Sequence, residues 1–101
     1  MARYDNGSNP RMLVARRYVI GGRVQGVGFR YFTEATALRE GVVGWVRNRP
    51  DHCVEVFVEG DSESVERVER HLRHGPSGAR VERFDWDDTV PTGQETGFII
   101  K

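Results

Sequence analysis

The 101-residue sequence lacks the features that mark several large classes of protein. It has one cysteine, Cys53, so no disulfide can form within the chain, and we expect a reducing compartment. No apolar run reaches the length of a membrane span, and no signal-peptide pattern is visible. Its 15 acidic and 15 basic residues cancel, which argues against broad attraction to nucleic acid or to membranes. We therefore predict a cytoplasmic protein that binds neither.

Residues that could hold a metal ion are also sparse. His71 and His74 are three positions apart, but no neighbouring carboxylate or cysteine completes a ligand set, and His52-Cys53 does not have ligand spacing. We therefore predict no metal and no cofactor, and solvated or capping roles for these histidines. Cys53 precedes an alternating valine run, which favours a structural thiol over a nucleophile.

The length and the hydrophobic content of 38% suit one small domain. The first residues are polar and include the run D-N-G-S-N-P at residues 5–10. We predict a disordered tail over residues 1–14 and a single domain over residues 15–101.

Periodicity and turn residues predict the order β-α-β-β-α-β. We expect strands at residues 15–23, 42–47, 54–59 and 79–86, a short last strand at 97–100, and helices at 29–40 and from Asp61 or Ser62 to Gly75. A β-bulge between Val81 and Phe84 would bring both onto one face of the sheet. The order is that of an α+β, ferredoxin-like split βαβ fold, with an antiparallel sheet and two helices on one face.

The spacing of apolar residues predicts which side of each helix is buried. The first has apolar residues at roughly helical spacing: Phe29, Phe32, Ala35 (or Thr36) and Leu38. The second has an inner stripe of Val65, Val68 and Leu72. Its acid–base pairs four residues apart are Glu63/Arg67, Glu66/Arg70 and Glu69/Arg73. We interpret this charged run as a solvated face.

Residues 18–30, Y-V-I-G-G-R-V-Q-G-V-G-F-R, join the first strand to the first helix through four glycines. Glycine permits positive φ and close approach of a ligand to the backbone. Backbone N–H groups of such a loop, together with a helix N-terminus, form an anion-binding concavity. Arg30 adds a forked donor set suited to phosphate. The pattern predicts a phosphate site.

Residues 18–30 do not match three known phosphate-binding loop motifs. Gly21 and Gly26 have Walker A spacing, but Val27 replaces the lysine, and Tyr31 stands where the dinucleotide fingerprint needs its last glycine. A cysteine-based phosphatase loop would need a cysteine, which this loop lacks. A simple glycine-rich turn between strand and helix remains the alternative.

The run G-R-V-Q-G-V-G-F-R resembles the signature loop of the acylphosphatase family, and G-W-V-R-N at residues 44–48 resembles its second signature at matching separation. The resemblance implies hydrolysis of acyl phosphates to a carboxylate and inorganic phosphate. Arg30 would bind the phosphoryl oxygens and Asn48 would orient the attacking water. The loop that would hold the same phosphate, here named the glycine loop, comprises Arg23, Val24, Gln25, Gly26, Val27, Gly28 and Phe29.

The resemblance, the phosphate site and the predicted fold together set the expected partners and the alternatives. We expect a monomer that binds a small acyl phosphate, with inorganic phosphate or sulfate as competing anion. His52 stands where the family commonly has glycine, at a turn that favours positive φ. The alternatives are a phosphate-sensing module on the same fold and an RNA-recognition domain, although residues 54–59 lack the aromatic strand that the latter needs.

Overall fold

The computed structural model describes residues 12–101, which form one five-stranded sheet with two helices packed on one of its faces. In chain order the elements are β1 (Leu13–Arg23), α1 (Phe29–Glu40), β2 (Val43–Asn48), β3 (Val54–Asp61), α2 (Ser62–His74), β4 (Arg80–Thr89) and β5 (Phe98–Ile100). The strands lie in the order β4-β1-β3-β2-β5. The predicted ferredoxin-like α+β fold is confirmed.

The core lies between the helices and the sheet, and β3 is its centre. Val54, Val56 and Val58 are fully buried because alternate residues of a strand point to the same face. They pack with a helical stripe whose members were predicted from the sequence, Val65, Val68 and Leu72, all fully buried. Within residues 12–101, no helix is long and apolar enough to cross a membrane.

The sheet is mixed: the predicted antiparallel pairing holds for the first four strands and fails only for β5. The first four strands pair antiparallel, whereas β5 pairs parallel with β2 through Gly44↔Phe98 and Val46↔Ile100. The connection from β4 to β5 must cross from one edge of the sheet to the other. It passes the helix-free face, where the N–H groups of Thr92 and Gly93 donate to the Glu59 carboxylate.

Helix α1 has the predicted bounds, and Phe29, Phe32 and Thr36 of its predicted stripe face the core, but Leu38 does not. The buried residues are Phe29, Thr33, Thr36 and Ala37, whereas Leu38 is 60% exposed. At about 100° per residue, Leu38 lies on the side of the helix opposite Phe29. The threonines tolerate burial because Thr33 Oγ1 donates to the Phe29 carbonyl at 2.8 Å and Thr36 Oγ1 to the Phe32 carbonyl at 2.9 Å.

The predicted bulge in β4 is confirmed. Gly21 pairs with Arg83 and Gly22 with Val81, so Glu82 is the extra residue. Val81 and Phe84 both pack against the core from this strand. Trp86, on the same face as Phe84, remains 45% exposed and stacks under the Arg16 guanidinium at 4.6 Å.

Two charged residues of α2, Glu69 and Arg67, form hydrogen bonds with other elements that the sequence did not predict. Glu69 forms the expected pair with Arg73 at 3.1 Å, but its carboxylate also accepts from Arg16 at 2.9 Å and from the Tyr18 hydroxyl at 3.1 Å. Arg67 donates to Glu40 of α1 rather than to Glu63. The other five residues of the three predicted pairs are exposed, as expected of a solvated face, whereas the half-buried Glu69 links α2 to β1.

The predicted tail falls largely outside the described residues, which begin at 12. Leu13 and Val14, assigned to that tail, instead belong to β1 and pair with Asp61 and Gly60 of a longer β3. Backbone pairing extends the strand here although the side chain of Leu13 is 58% exposed, and a hydrophobic pattern does not report such pairing.

Candidate active site

A cavity of about 170 Å³ opens where the glycine loop meets the N-terminus of α1 and the end of β2. This is several times the roughly 30 Å³ that one water molecule occupies in the liquid. The cavity is lined by Val24, Gly26, Gly28, Phe29, Arg30, Tyr31 and Asn48. The two residues that the resemblance assigned to catalysis, Arg30 and Asn48, therefore line one cavity.

Two glycines shape the loop side of this cavity. Gly26 has φ 77° and Gly28, at the N-cap position of α1, has φ 80°. Both angles lie in the left-handed region, which costs an ordinary residue about 1–2 kcal/mol. The left-handed turn leads the chain into α1, whose first N–H groups have no partner within the helix. Those donors and the helix dipole favour an anion at this end of the cavity.

Arg30 is the second residue of α1 and is hydrogen-bonded to the residue that follows β5. Its Nη1 donates to the backbone carbonyl of Lys101 at 3.2 Å, and the Lys101 N–H donates to the Val46 carbonyl at 2.8 Å. The guanidinium carries five N–H donors, of which this bond uses one. Lys101, whose own N–H extends the pairing of β5 with β2, thus contacts Arg30 beside the cavity.

Asn48 is the last residue of β2 and lies on the same face as the buried Val46. Its Oδ1 atom is buried and has no hydrogen-bond donor among the described residues. Buried polar atoms nearly always have a partner, and an orphaned acceptor costs about 1–3 kcal/mol. A water that donates to Oδ1 would satisfy this acceptor and would itself be oriented inside the cavity.

The other predicted loop residues have different positions. Val24 and Phe29 are 1% and 2% exposed and belong to the core, and both also border the cavity. Val27 packs against the core, and Arg23 is exposed at the end of β1, paired with Arg80. Neither residue lines the cavity.

Two contributions were missed from the sequence. Tyr31 is 69% exposed and lines the cavity mouth. The sequence could have predicted this position, because helical side chains lean toward the N-terminus and Tyr31 is the third residue of α1. Gln25 turns its side chain away from the cavity and binds the β2–β3 hairpin. No local signal in the sequence shows that contact.

The β2–β3 hairpin carries one strained residue beside a local hydrogen bond. His52 has φ 71°, the only positive φ of a residue other than glycine within residues 12–101. The Cys53 N–H donates to Asp51 Oδ1 at 3.1 Å, and this bond, together with the Arg49 charge, holds the pKa of Asp51 below its usual value. The predicted requirement for positive φ at position 52 is confirmed.

Cys53 is buried and unpaired, as predicted for a structural thiol. Its sulfur is 3.6 Å from Arg83 Nη1. In the described part of the chain, no group of three or more histidine, cysteine, aspartate or glutamate side chains is arranged to hold a metal ion.

Comparisons with known proteins agree with this geometry. The sequence model of the Acylphosphatase family matches residues 16–100. The chain is 52% identical to an acylphosphatase of Nitrobacter hamburgensis over 82 residues, which cover 81% of this chain and 82% of that protein. It is 47% identical to an acylphosphatase of Roseiflexus sp. over 90 residues, covering 88% of this chain and 97% of that protein.

A solved structure gives the same result. The crystal structure of acylphosphatase from Bacillus subtilis superposes with a TM-score of 0.84 at 32% identity, covering 89% of this chain and 99% of that one. The family model, which matches residues 16–100, covers both the glycine loop and the end of β2. The chain therefore belongs to the acylphosphatase family, whose members are hydrolases that act on small acyl phosphates.

Proposed function

We propose that this cavity hydrolyses the carboxyl–phosphate anhydride of acyl phosphates through Arg30, the backbone N–H groups of the glycine loop and Asn48. Arg30 and the N–H groups bind the non-bridging phosphoryl oxygens. Asn48 accepts a hydrogen bond from the attacking water. The water oxygen forms a bond to phosphorus, the bond from phosphorus to the carboxyl oxygen breaks, and carboxylate and inorganic phosphate leave.

The observation that carries this proposal is the buried, unpartnered Asn48 Oδ1 in the cavity that Arg30 also lines. Arg30 supplies fixed positive charge for a phosphoryl group, and Asn48 supplies an acceptor for a water. Phosphoryl transfer depends mostly on positioning and charge stabilisation, so these two functions are enough in principle.

The composition of the lining fits the leaving group. A carboxylate is a weak base and leaves without a general acid, and the lining residues among positions 12–101 include no carboxylate and no imidazole. The proton lost by the attacking water then passes to a phosphoryl oxygen of the substrate. This assignment requires no titratable protein base in the cavity.

The test compares Arg30→Ala, Arg30→Lys and Asn48→Ala, with Arg39→Ala as a control on the exposed last turn of α1. The measurements are kcat and KM on benzoyl phosphate, the inhibition constant of inorganic phosphate, and circular dichroism. Asn48→Ala should lower kcat about a hundredfold with little change in KM, because one preorganised hydrogen bond to the water is lost.

Arg30→Ala should weaken phosphate binding as well as turnover, because the guanidinium contacts the phosphoryl group before and during reaction. Arg30→Lys should recover little, since an ammonium lacks the planar fork. Arg39→Ala should match the wild type. A folded Asn48→Ala variant with wild-type kcat, or a folded Arg30→Ala variant with wild-type phosphate affinity, contradicts the assignment. A wild-type protein that binds phosphate without hydrolysis would support the phosphate-sensing alternative.

The same assay tests the expected anion competition and metal independence. Inorganic phosphate and sulfate should inhibit competitively, because the site recognises a tetrahedral anion. Exhaustive chelation should leave kcat unchanged, because Arg30 and the backbone N–H groups supply the positive field. Noncompetitive inhibition would place the anion elsewhere, and activity lost on chelation and restored by a divalent cation would contradict metal independence.

A further inference from the structure

Gln25 lies in the glycine loop, yet its side-chain amide contacts the hairpin between β2 and β3. Its Nε2 donates to the Arg49 carbonyl at 2.9 Å and to the Cys53 carbonyl at 3.0 Å. These carbonyls are the two ends of the hairpin tip, which is also closed by Arg49 N–H to the Cys53 carbonyl at 2.8 Å and by His52 N–H to the Arg49 carbonyl at 3.1 Å. One side chain therefore uses both of its amide donors to grip both ends of the tip.

The sheet topology explains why such a link matters. The glycine loop follows β1, and Asn48 ends β2, but β3 lies between these two strands. Strands separated by one neighbour are about 10 Å apart, so the backbone ladder does not join the loop directly to the end of β2. The Gln25 side chain spans this gap. It starts one residue before Gly26, which lines the cavity, and ends on Arg49, one residue after Asn48.

We propose that Gln25 is a positioning residue that fixes the Asn48 amide relative to the loop that binds the phosphoryl group. The inference rests on the proposed function, in which Asn48 orients the attacking water. With the link intact, the water on Oδ1 lies at a fixed distance from phosphorus. Without it, the hairpin tip and Asn48 shift relative to the bound phosphate, while the glycine loop and Arg30 still bind the anion. Loss of the link should thus affect turnover more than phosphate affinity.

The test is a double-mutant cycle between Gln25 and Asn48. Gln25→Met keeps the side-chain shape and removes both donors, and Gln25→Asn keeps the amide but shortens its reach by one methylene. Each is made alone and together with Asn48→Ala. The matched control is Gln94→Met, an exposed glutamine outside the cavity lining. Measured quantities are kcat on benzoyl phosphate, the inhibition constant of phosphate, and circular dichroism at a temperature where each variant is folded.

Gln25→Met should lower kcat about tenfold, because displacement by a fraction of an ångström is costly for a positioned water. The inhibition constant of phosphate should change less than twofold. In the Asn48→Ala background, the same change should alter kcat less than twofold, since the group that Gln25 positions is already absent. Gln25→Asn should resemble Gln25→Met, and Gln94→Met should resemble the wild type.

A purely structural role gives a different result. Gln25→Met would then lower kcat by the same factor with and without Asn48, and this outcome overturns the proposal, as does an unchanged kcat in folded Gln25→Met and Gln25→Asn. If Asn48→Ala itself keeps the wild-type kcat, the proposed role of Asn48 fails and that of Gln25 fails with it. The single variants therefore show which of the two assignments is wrong.

Discussion

Among the described residues, His52 is the one residue other than glycine whose backbone has a positive φ. Its φ of 71° lies in the left-handed region, next to the carbonyls that Gln25 binds. Histidine tolerates this region better than branched residues do, but still at a cost of about 1–2 kcal/mol. The strain is held in place by the Arg49 to Cys53 backbone bond and by the Asp51 carboxylate, which accepts from the Cys53 N–H.

We expect His52→Gly to stabilise the protein. Relief of the left-handed strain should outweigh the roughly 0.5–1 kcal/mol that glycine costs in backbone entropy, for a net gain of about 0.5–1 kcal/mol. His52→Val should instead destabilise it, because a β-branched residue is least tolerant of positive φ. Urea unfolding of the three proteins measures both effects. A decrease in the free energy of unfolding for His52→Gly would show that the imidazole makes a stabilising contact that outweighs the strain.

At the scale of elements, β3 carries two buried carboxylates on the helix-free face of the sheet. Glu55 is 4% exposed and accepts from Arg17 of β1 at 2.6 Å and from Arg47 of β2 at 2.7 Å. Glu59 accepts from the loop that leads to β5. The carboxylate of Glu55 thus ties together three neighbouring strands, including the strand that ends at Asn48.

The Glu55 carboxylate predicts a pH-dependent stability. Burial raises the pKa of Glu55, but the hydrogen bonds and charges of Arg17 and Arg47 outweigh it, so the net pKa lies below the usual value. A folded-state pKa below the unfolded one means that the contribution is fully present above the unfolded pKa, about 4.3, and is lost as pH falls through the folded pKa.

We therefore expect Glu55→Gln to lower the free energy of unfolding by about 2 kcal/mol at pH 7, as for the loss of charged hydrogen bonds. The difference from the wild type should shrink as pH falls below the unfolded pKa, about 4.3, and should vanish below the lower folded pKa, where the wild-type carboxyl is protonated as well. Glu66→Gln, at an exposed position of α2, should stay within about 0.5 kcal/mol of wild type. A difference that is independent of pH would show that charge is not the cause.

For the whole molecule, we propose that the domain begins at Met12, because Leu13 and Val14 belong to β1, and that residues 1–11 are dispensable. The described chain gives a reason to keep Met12: its carbonyl accepts from the Ser62 N–H at 2.9 Å, at the start of α2. The pairs Leu13↔Asp61 and Val14↔Gly60 continue this contact into β1. We further propose that the protein is a monomer.

A protein that starts at Met12 should keep its melting temperature within about 2 °C, kcat within twofold, and a monomeric mass by light scattering. A start at Ala15 should lower the melting temperature, because it removes the β1 pairing that closes the start of α2. If the protein that starts at Met12 is already much less stable or much less active than the full chain, residues 1–11 contribute to the fold.

Local chemistry was enough to determine some features of this protein. The position of the glycine loop between β1 and α1, the bounds of α1, the inner stripe of α2 and the bulge in β4 were predicted correctly, because each depends on neighbouring residues, a fixed periodicity or a parity along one strand. The two sequence blocks around Arg30 and Asn48 likewise indicated the family, which the comparisons confirmed.

Tertiary structure decided how those residues meet. Only the order β1-β3-β2-β5 puts Asn48 into the cavity of Arg30 and brings the Lys101 carbonyl to the guanidinium. The parallel pairing of β5, the direction of the Gln25 side chain and the exposure of Leu38 depend on contacts between residues far apart in sequence. The pattern of residues along a helix or strand predicts which of its faces is buried. Which residues of other elements contact that face depends on how the whole chain packs.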